Sequence, residues 1–290
     1  MSAQKLLANK NLVIIAVIMI VAHLFYKEAY AIKPDKTYIK NPKDLGLEYE
    51  SVLIKTLDGY DLSGWLVQSK RDNSKGTIIF SGPDAGNKSY LLDLIPIYIH
   101  DGYNVMLFDY RGFGESQDFD IDADMLIYAE FLDDLNSVID YVKSKAEKNI
   151  VLFGISMGAA ISLGVAGQRN DISTVIADGA YTTTDKVLAN LHQKFMAEGN
   201  SRRLKKPDNF PSNALPINAV AQVKSTNIFL LTGSEDKVTT PEMAVELYTK
   251  CPSPQKSLWI AAGATHGRIA QVYGKLYFDN VLAFLNRFSL

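Results

Sequence analysis

The stretch Val151-Leu152-Phe153-Gly154-Ile155-Ser156-Met157-Gly158-Ala159-Ala160 decides the fold. It is an apolar run that breaks into Gly-x-Ser-x-Gly and resumes as small residues. The pattern predicts a buried strand, a tight turn carrying Ser156, and a helix that starts at once. Gly154 and Gly158 fit a turn that brings two backbones too close for a Cβ. Ser156 then sits at the crest, its Oγ exposed above a helix N-terminus.

Outward from this turn, short apolar runs alternate with helical spacings. Thr77-Ile78-Ile79-Phe80, Asn104 to Phe108, Ile150 to Phe153, Thr174 to Asp178, Asn227 to Leu231 and Ser257 to Ala261 predict strands. Helices are expected over 90–100, 123–145, 157–168, 241–250 and 266–288, and residues 182–222 form a polar, proline-containing excursion. Before the first run, alternation over 48–56 and 61–67 about Asp58-Gly59 predicts an antiparallel hairpin. All-apolar strands alternating with helices require a mostly parallel sheet covered on both faces, an α/β architecture. The active edge of such a sheet lies at the carboxyl ends of its strands. Ser81, Asp109, Ser156, Asp178 and Asp236 all follow apolar strands and are expected there.

The chain has 290 residues, 47% hydrophobic and 21% charged, enough for a sizeable core. A formal net charge of −2 and no basic excess argue against a nucleic-acid partner. The single cysteine, Cys251, excludes an internal disulfide framework and a multi-cysteine metal site. At the N-terminus, Lys5 and Lys10 precede an apolar run from Leu12 to Tyr26 interrupted only by His23. It is short for a bilayer span. The readings are an uncleaved signal anchor, with Lys10 and Lys27 at the two interfaces, or a signal peptide cleaved near Ala29-Tyr30-Ala31. A core helix is the bland alternative. The preceding lysines predict export of the domain that follows, either membrane-anchored or secreted or periplasmic after cleavage. Residues 1–31 are thus set apart from a Lys/Pro/Asp-rich linker at 32–46 and a domain over 47–290.

A serine hydroxyl needs a base to take its proton, and the base needs a carboxylate to orient it. Of the four histidines, His23 lies in the N-terminal run, His100 ends a helix on the wrong side of its strand, and His192 is in the excursion. His266, in the glycine-bracketed loop Gly263-Ala264-Thr265-His266-Gly267, alone combines the order Ser…Asp…His with a strand end. Asp236 is favoured as the acid over Asp178 and Glu235. Asp118, Asp120, Asp122 and Asp124 alternate like a calcium loop but lack its glycine and final glutamate, and read as a solvated loop. The basic cluster Arg202-Arg203-Leu204-Lys205-Lys206 reads likewise, with attraction to anionic lipid as a lesser alternative. No glycine pattern for a nucleotide follows a strand, and no metal or cofactor is expected.

Together, Phe80-Ser81-Gly82-Pro83-Asp84-Ala85-Gly86-Asn87, Asp109-Tyr110-Arg111-Gly112-Phe113-Gly114-Glu115-Ser116, Gly154-Ile155-Ser156-Met157-Gly158, Gly233-Ser234-Glu235-Asp236 and Thr265-His266-Gly267 make the chain resemble the α/β-hydrolases. Within them it resembles serine-aminopeptidase-like hydrolases and membrane-anchored esterases and depalmitoylases. The resemblance implies the α/β-hydrolase fold with a short lid excursion. It implies an acyl-enzyme mechanism on small-molecule or acyl-group esters or thioesters, with Ser156 as nucleophile, His266 as base and Asp236 as acid. It further implies oxyanion donors at the backbone of Met157 and, through a one-residue insertion, of Asp84. Here the chain departs from the usual His-Gly-x: it reads Ser81-Gly82-Pro83, and proline has no N–H. A weakened hydrolase or a binding protein on the same fold is the non-enzyme alternative, and a serine aminopeptidase the enzymatic one.

Overall fold

The apolar runs become the parallel centre of an eight-stranded sheet. The computed structural model describes residues 31–70, 74–145 and 149–288. In chain order the strands are β1 (Lys33–Pro34), β2 (Tyr49–Lys55), β3 (Asp61–Val67), β4 (Thr77–Ser81), β5 (Ala85–Gly86), β6 (Asn104–Phe108), β7 (Ile150–Ile155), β8 (Thr174–Asp178), β9 (Asn227–Gly233) and β10 (Lys256–Ala261). The helices are α1 (Pro96–Asp101), α2 (Glu130–Ser144), α3 (Met157–Ala166), α4 (Thr184–Ala197), α5 (Pro216–Val220), α6 (Pro241–Lys250), α7 (Ile269–Tyr273) and α8 (Lys275–Leu285).

The sheet runs β10-β9-β8-β7-β4-β6-β3-β2, parallel from β10 to β6, with the β2–β3 hairpin antiparallel at one edge. The middle of each central strand is apolar because each face of the sheet has its own core. In β7, Ile150 and Leu152 join the core that holds Phe131, Leu135 and Ile139 of α2. Val151 and Phe153 point the other way, to Tyr98 of α1 and Tyr277, Val281 and Phe284 of α8. The same period of two recurs in β9, with Ile228 and Leu230 on one face and Phe229 and Leu231 on the other. At the edge the alternation turns amphipathic: Val52 and Ile54 are buried while Leu53 is 66% exposed.

Three expectations are corrected. The helix predicted from Ala123 begins at Glu130, because the preceding turn is held away from the helix path by a neighbouring loop. Leu126 N–H donates to Lys205 O and Lys205 N–H to Asp124 O, each at 2.8 Å. The acidic and basic runs read separately as solvated loops face each other there, with Lys205–Asp122 at 2.8 Å and Arg202 against Asp124. The closing helix breaks into α7 and α8 at Gly274, whose φ of +51° a helix cannot contain. Residues 32–46 are not an extended linker. Ile32 is fully buried in the core, and β1 pairs with β5.

The excursion over 182–222 carries α4 and α5 and is fastened to the domain, with Phe195 buried. Among the described residues no helix is long and apolar enough to cross a membrane. The expected anchor or signal segment, residues 1–31, lies outside the described residues except for Ala31.

Candidate active site

Ser156, Asp178 and Asp236 reach the same edge because β7, β8 and β9 are parallel and end there in register. Ser156 follows β7 directly and opens α3. Its φ is +53°, the one positive value outside glycine among the described residues. A side chain held there costs about 1–3 kcal/mol of strain and persists only where its surroundings enforce it. They do: a Cβ on Gly154 would stand 2.3 Å from Gly158 O, and one on Gly158 would stand 2.0 Å from Ser81 O. The two glycines therefore let α3 press against both its own strand and the loop after β4. Ser156 N–H donates to Asp178 O at 2.8 Å, tying the turn to β8.

His266 approaches from the loop after β10. Its Nε2 lies 2.9 Å from Ser156 Oγ, and its Nδ1 lies 2.7 Å from Asp236 Oδ2. The side chain of Asp236 is buried at 1% exposure, whereas that of His266 keeps 26%. Asp236 Oδ1 accepts from Val238 N–H at 2.8 Å and Thr239 N–H at 2.9 Å. Oδ2 also accepts from Thr239 Oγ1 at 2.8 Å, and that hydroxyl stands 3.0 Å from His266 Nδ1.

The charges follow from these contacts. Burial works to raise the Asp236 pKa, but the adjacent His266 and the hydrogen bonds from His266, Thr239 and Val238 outweigh it, and the carboxyl ends below its ordinary value. Burial works to lower His266, but Asp236 foremost, then Asp84 and Asp178, bring it above its ordinary value. Asp236 is thereby held as an anion, and in the neutral His266 ring a proton on Nδ1 donates to it and leaves Nε2 as an acceptor facing the serine hydroxyl.

The rivals sit apart. Asp178 is buried, and its Oδ2 accepts from Tyr277 O–H at 2.8 Å rather than meeting His266. Glu235 faces solvent. His192 Nε2 accepts from Leu204 N–H at 2.9 Å, a packing role within the excursion. Among the described residues no cluster of His, Cys, Asp and Glu could hold a metal ion.

The loop after β4 lies beside Met157, because Ser81 and Gly82 carbonyls crowd Gly158. Asp84 is half-buried in it. Burial raises its pKa to about 6, with the charges of His266 and Lys194 acting in the opposite direction. Ser81, where the resemblance expects histidine, is 2.5 Å from the buried Tyr110 hydroxyl.

Thr239 was not singled out from the sequence. Its signal is Asp236-Lys237-Val238-Thr239, an acid followed at two and three residues by N–H groups that close a turn on it. Also missed was the engagement of Tyr38 and Lys88 with Asp109 behind the loop, with Lys88 Nζ 2.6 Å from Asp109 Oδ2. Nothing in the sequence spacing brings residues 38, 88 and 109 together.

A protein-family profile described as "Serine aminopeptidase, S33" matches residues 92–209. The chain is 30% identical over 259 residues to the uncharacterized protein YfhR of Escherichia coli (strain K12), covering 87% of this chain and 84% of the relative. It is 25% identical over 265 residues to the alpha/beta hydrolase domain-containing protein WAV2 of Arabidopsis thaliana, covering 88% and 84%. The solved structure of the Pyrococcus furiosus esterase Pf2001 superposes with a TM-score of 0.74 at 25% identity, over 89% of this chain and 98% of that one. With the sheet order, the turn at Ser156 and these relatives in agreement, the chain belongs to the α/β-hydrolases.

Proposed function

We propose that this hydrolase cleaves carboxylic esters or thioesters through an acyl-enzyme on Ser156. The observation that carries the reading is the hydrogen-bonded line from Ser156 Oγ through His266 to Asp236. Ser156 Oγ attacks the acyl carbon while its proton passes to His266 Nε2. Asp236 steadies the imidazolium and keeps the ring in the tautomer that faces the serine. Negative charge on the carbonyl oxygen falls to Met157 N–H at the start of α3 and to Asp84 N–H, replacing the donor that Pro83 lacks. His266 then protonates the leaving alkoxide or thiolate, and water enters by the same route to release the acid. The partial exposure of Ser156 and His266 supports small or surface-presented acyl groups.

A fluorophosphonate probe tests this directly, and labelling that survives Ser156→Ala sinks the assignment. Absence of labelling in the wild type would instead favour the binding-protein alternative. A second reading, aminopeptidase-type cleavage, draws on Asp84. Above its pKa of about 6 this carboxylate stands near enough to influence His266, and would suit a substrate ammonium. Comparing a nitrophenyl ester with an aminoacyl amide separates the two.

For location we infer an uncleaved N-terminal anchor. Cleavage after Ala31 would create a charged amino group on Ile32, whose fully buried position supports the intact chain. Membrane fractionation before and after an alkaline wash tests it: release of the full-length protein by the wash would count against anchoring.

A further inference from the structure

The loop that must help bind the oxyanion is held from the side by the first described residues of the chain. Lys33 N–H donates to Asp84 O at 2.8 Å, and Asp35 N–H donates to Gly86 O at 2.9 Å. These bonds belong to the parallel pairing of β1 with β5, Lys33 opposite Ala85 and Pro34 opposite Gly86. Asn87 Nδ2 returns the grip, donating to Asp35 O at 2.9 Å and Thr37 O at 2.8 Å. Tyr90 O–H closes it on Asp35 Oδ2 at 2.8 Å. The strap is itself fixed, since Ala31 and Ile32 are buried and Gly114 N–H donates to Asp35 O at 3.1 Å.

The same loop also borders a small void. A cavity of about 10 Å³, lined in part by Gly82, Pro83, Asn87 and Lys88, lies against it. That is room for a single water. The position of the Asp84 amide is then decided by its two ends. On one side, the Pro83 ring locks φ near −65°. On the other, the Asp84 carbonyl is anchored to Lys33. Pro83 removes a donor, yet it stiffens the peptide that carries the next one.

We propose that β1 is a positioning element of the active site: by pairing with β5 it holds the Asp84 amide where the oxyanion forms. This rests on the ester-hydrolase reading above. Through the two residues Ala31 and Ile32, whatever precedes them in the chain is joined to the oxyanion loop. The strap acts on the transition state and makes no contact with substrate, so its loss lowers kcat and leaves KM in place.

The test uses the full-length protein and a nitrophenyl ester. Lys33→Pro deletes the N–H that holds Asp84 O, and Lys33→Ala keeps it. We expect Lys33→Pro to lose about 10- to 100-fold in kcat, somewhat less than outright removal of an oxyanion donor, with KM within about 2-fold. The rate of labelling by a fluorophosphonate should fall in parallel, because that reaction also builds charge on the oxyanion. Lys33→Ala should recover most of the loss. If Lys33→Pro does not fold, Tyr90→Phe removes the hydroxyl that holds the strap at Asp35, and about a 3-fold fall in kcat at constant KM is expected. The proposal is overturned if folded Lys33→Pro matches Lys33→Ala, if KM rises while kcat holds, or if Tyr90→Phe keeps full kcat where Lys33→Pro is unfolded. A wild type that neither turns over ester nor takes the probe overturns the hydrolase reading and the strap with it. An active wild type with unaffected variants overturns the strap alone.

Discussion

Two sets of buried charges stand behind the carboxyl edge of the sheet, and they are built to opposite specifications. In the first, Asp109 accepts from Lys88 N–H at 2.7 Å, from Lys88 Nζ at 2.6 Å and from Tyr38 O–H at 2.6 Å. Lys88 Nζ also donates to Ser63 Oγ at 2.9 Å and lies 4.6 Å from the Trp65 ring centre. Both charged side chains are 0% exposed. Both carboxylate oxygens and all three Lys88 Nζ protons, shared among Asp109, Ser63 and Tyr38, are committed to partners within the cluster. In the second set, Asp236 is as well held as Asp109, but its partner His266 is 26% exposed and presents its other nitrogen to a strained serine. A closed ion pair is occupied on every side; one left open at the far nitrogen is available for chemistry.

The sharpest way to break the comparison is to remove the hydroxyl proposed as nucleophile. Ser156→Ala should lower kcat by about 10⁴- to 10⁶-fold. Its thermal midpoint should move little, since a single hydrogen bond of about 1 kcal/mol is lost. Steady-state kinetics and a melting curve on the same sample check both halves, and residual activity within tenfold of wild type would remove Ser156 from the reaction. Next in size is Asp236→Asn. Without the carboxylate His266 loses its tautomer control and the stabilisation of its cation, so kcat should fall by about 10³- to 10⁴-fold. A loss under tenfold would shift the role of acid elsewhere, Asp178 being the nearest strand-end rival.

The closed set should behave inversely. Lys88→Met leaves the Asp109 carboxylate buried without its cation, at a cost of about 3–5 kcal/mol read from urea unfolding. Pairing it with Asp109→Leu should recover part of that loss, because a buried ion pair and an apolar pair of similar volume are close in stability. An unchanged midpoint in Lys88→Met would show that Asp109 is neutralised some other way.

The same contrast explains what the sequence discloses. Strand periods, the hairpin, the sheet class and the Ser156 turn were legible because each is a local consequence of side-chain alternation or of backbone approach at Gly154 and Gly158. The line from Asp236 to His266 was legible in outline, since chain order and strand ends place both residues on one edge. Strand ends alone do not discriminate, however: Asp109, Asp178 and Asp236 all follow apolar runs. Asp109 is closed off by Lys88, Asp178 is capped by Tyr277, and only Asp236 meets His266. That sorting depends on residues 21, 99 and 30 positions away respectively, which no local pattern encodes. The strap was hidden for a related reason. Residues 32–46 have the composition of a linker, and two short strands 52 residues apart, Lys33–Pro34 and Ala85–Gly86, carry no period to read.

The finest difference lies between Asp178 and Asp236, two carboxylates that both influence His266. Burial raises Asp178 to about 6, despite the hydrogen bond from Tyr277, so it is an anion above that pH. His266 itself is carried above its ordinary value of 6.5 against the effect of its own burial, by Asp236, then Asp84, then Asp178. A base must be neutral to accept the serine proton. Activity should therefore rise with pH through the His266 pKa, placing the acid limb of kcat/KM above pH 6.5. Asp178→Asn takes away one negative charge that favours the imidazolium. The His266 pKa must then fall, and the limb must move to lower pH. The Tyr277 hydroxyl can still donate to the amide oxygen, so packing is kept and plateau kcat should change by less than about 3-fold. Asp178 is the weakest of the three anions on His266, so the displacement should be less than about one pH unit, and Asp84→Asn should displace the limb further in the same direction. A limb that stays put in Asp178→Asn would mean that its proton is already held on the carboxyl by burial, leaving Asp236 and Asp84 to set the charge of the base, and a limb that climbs would overturn the sign of the Asp178 effect.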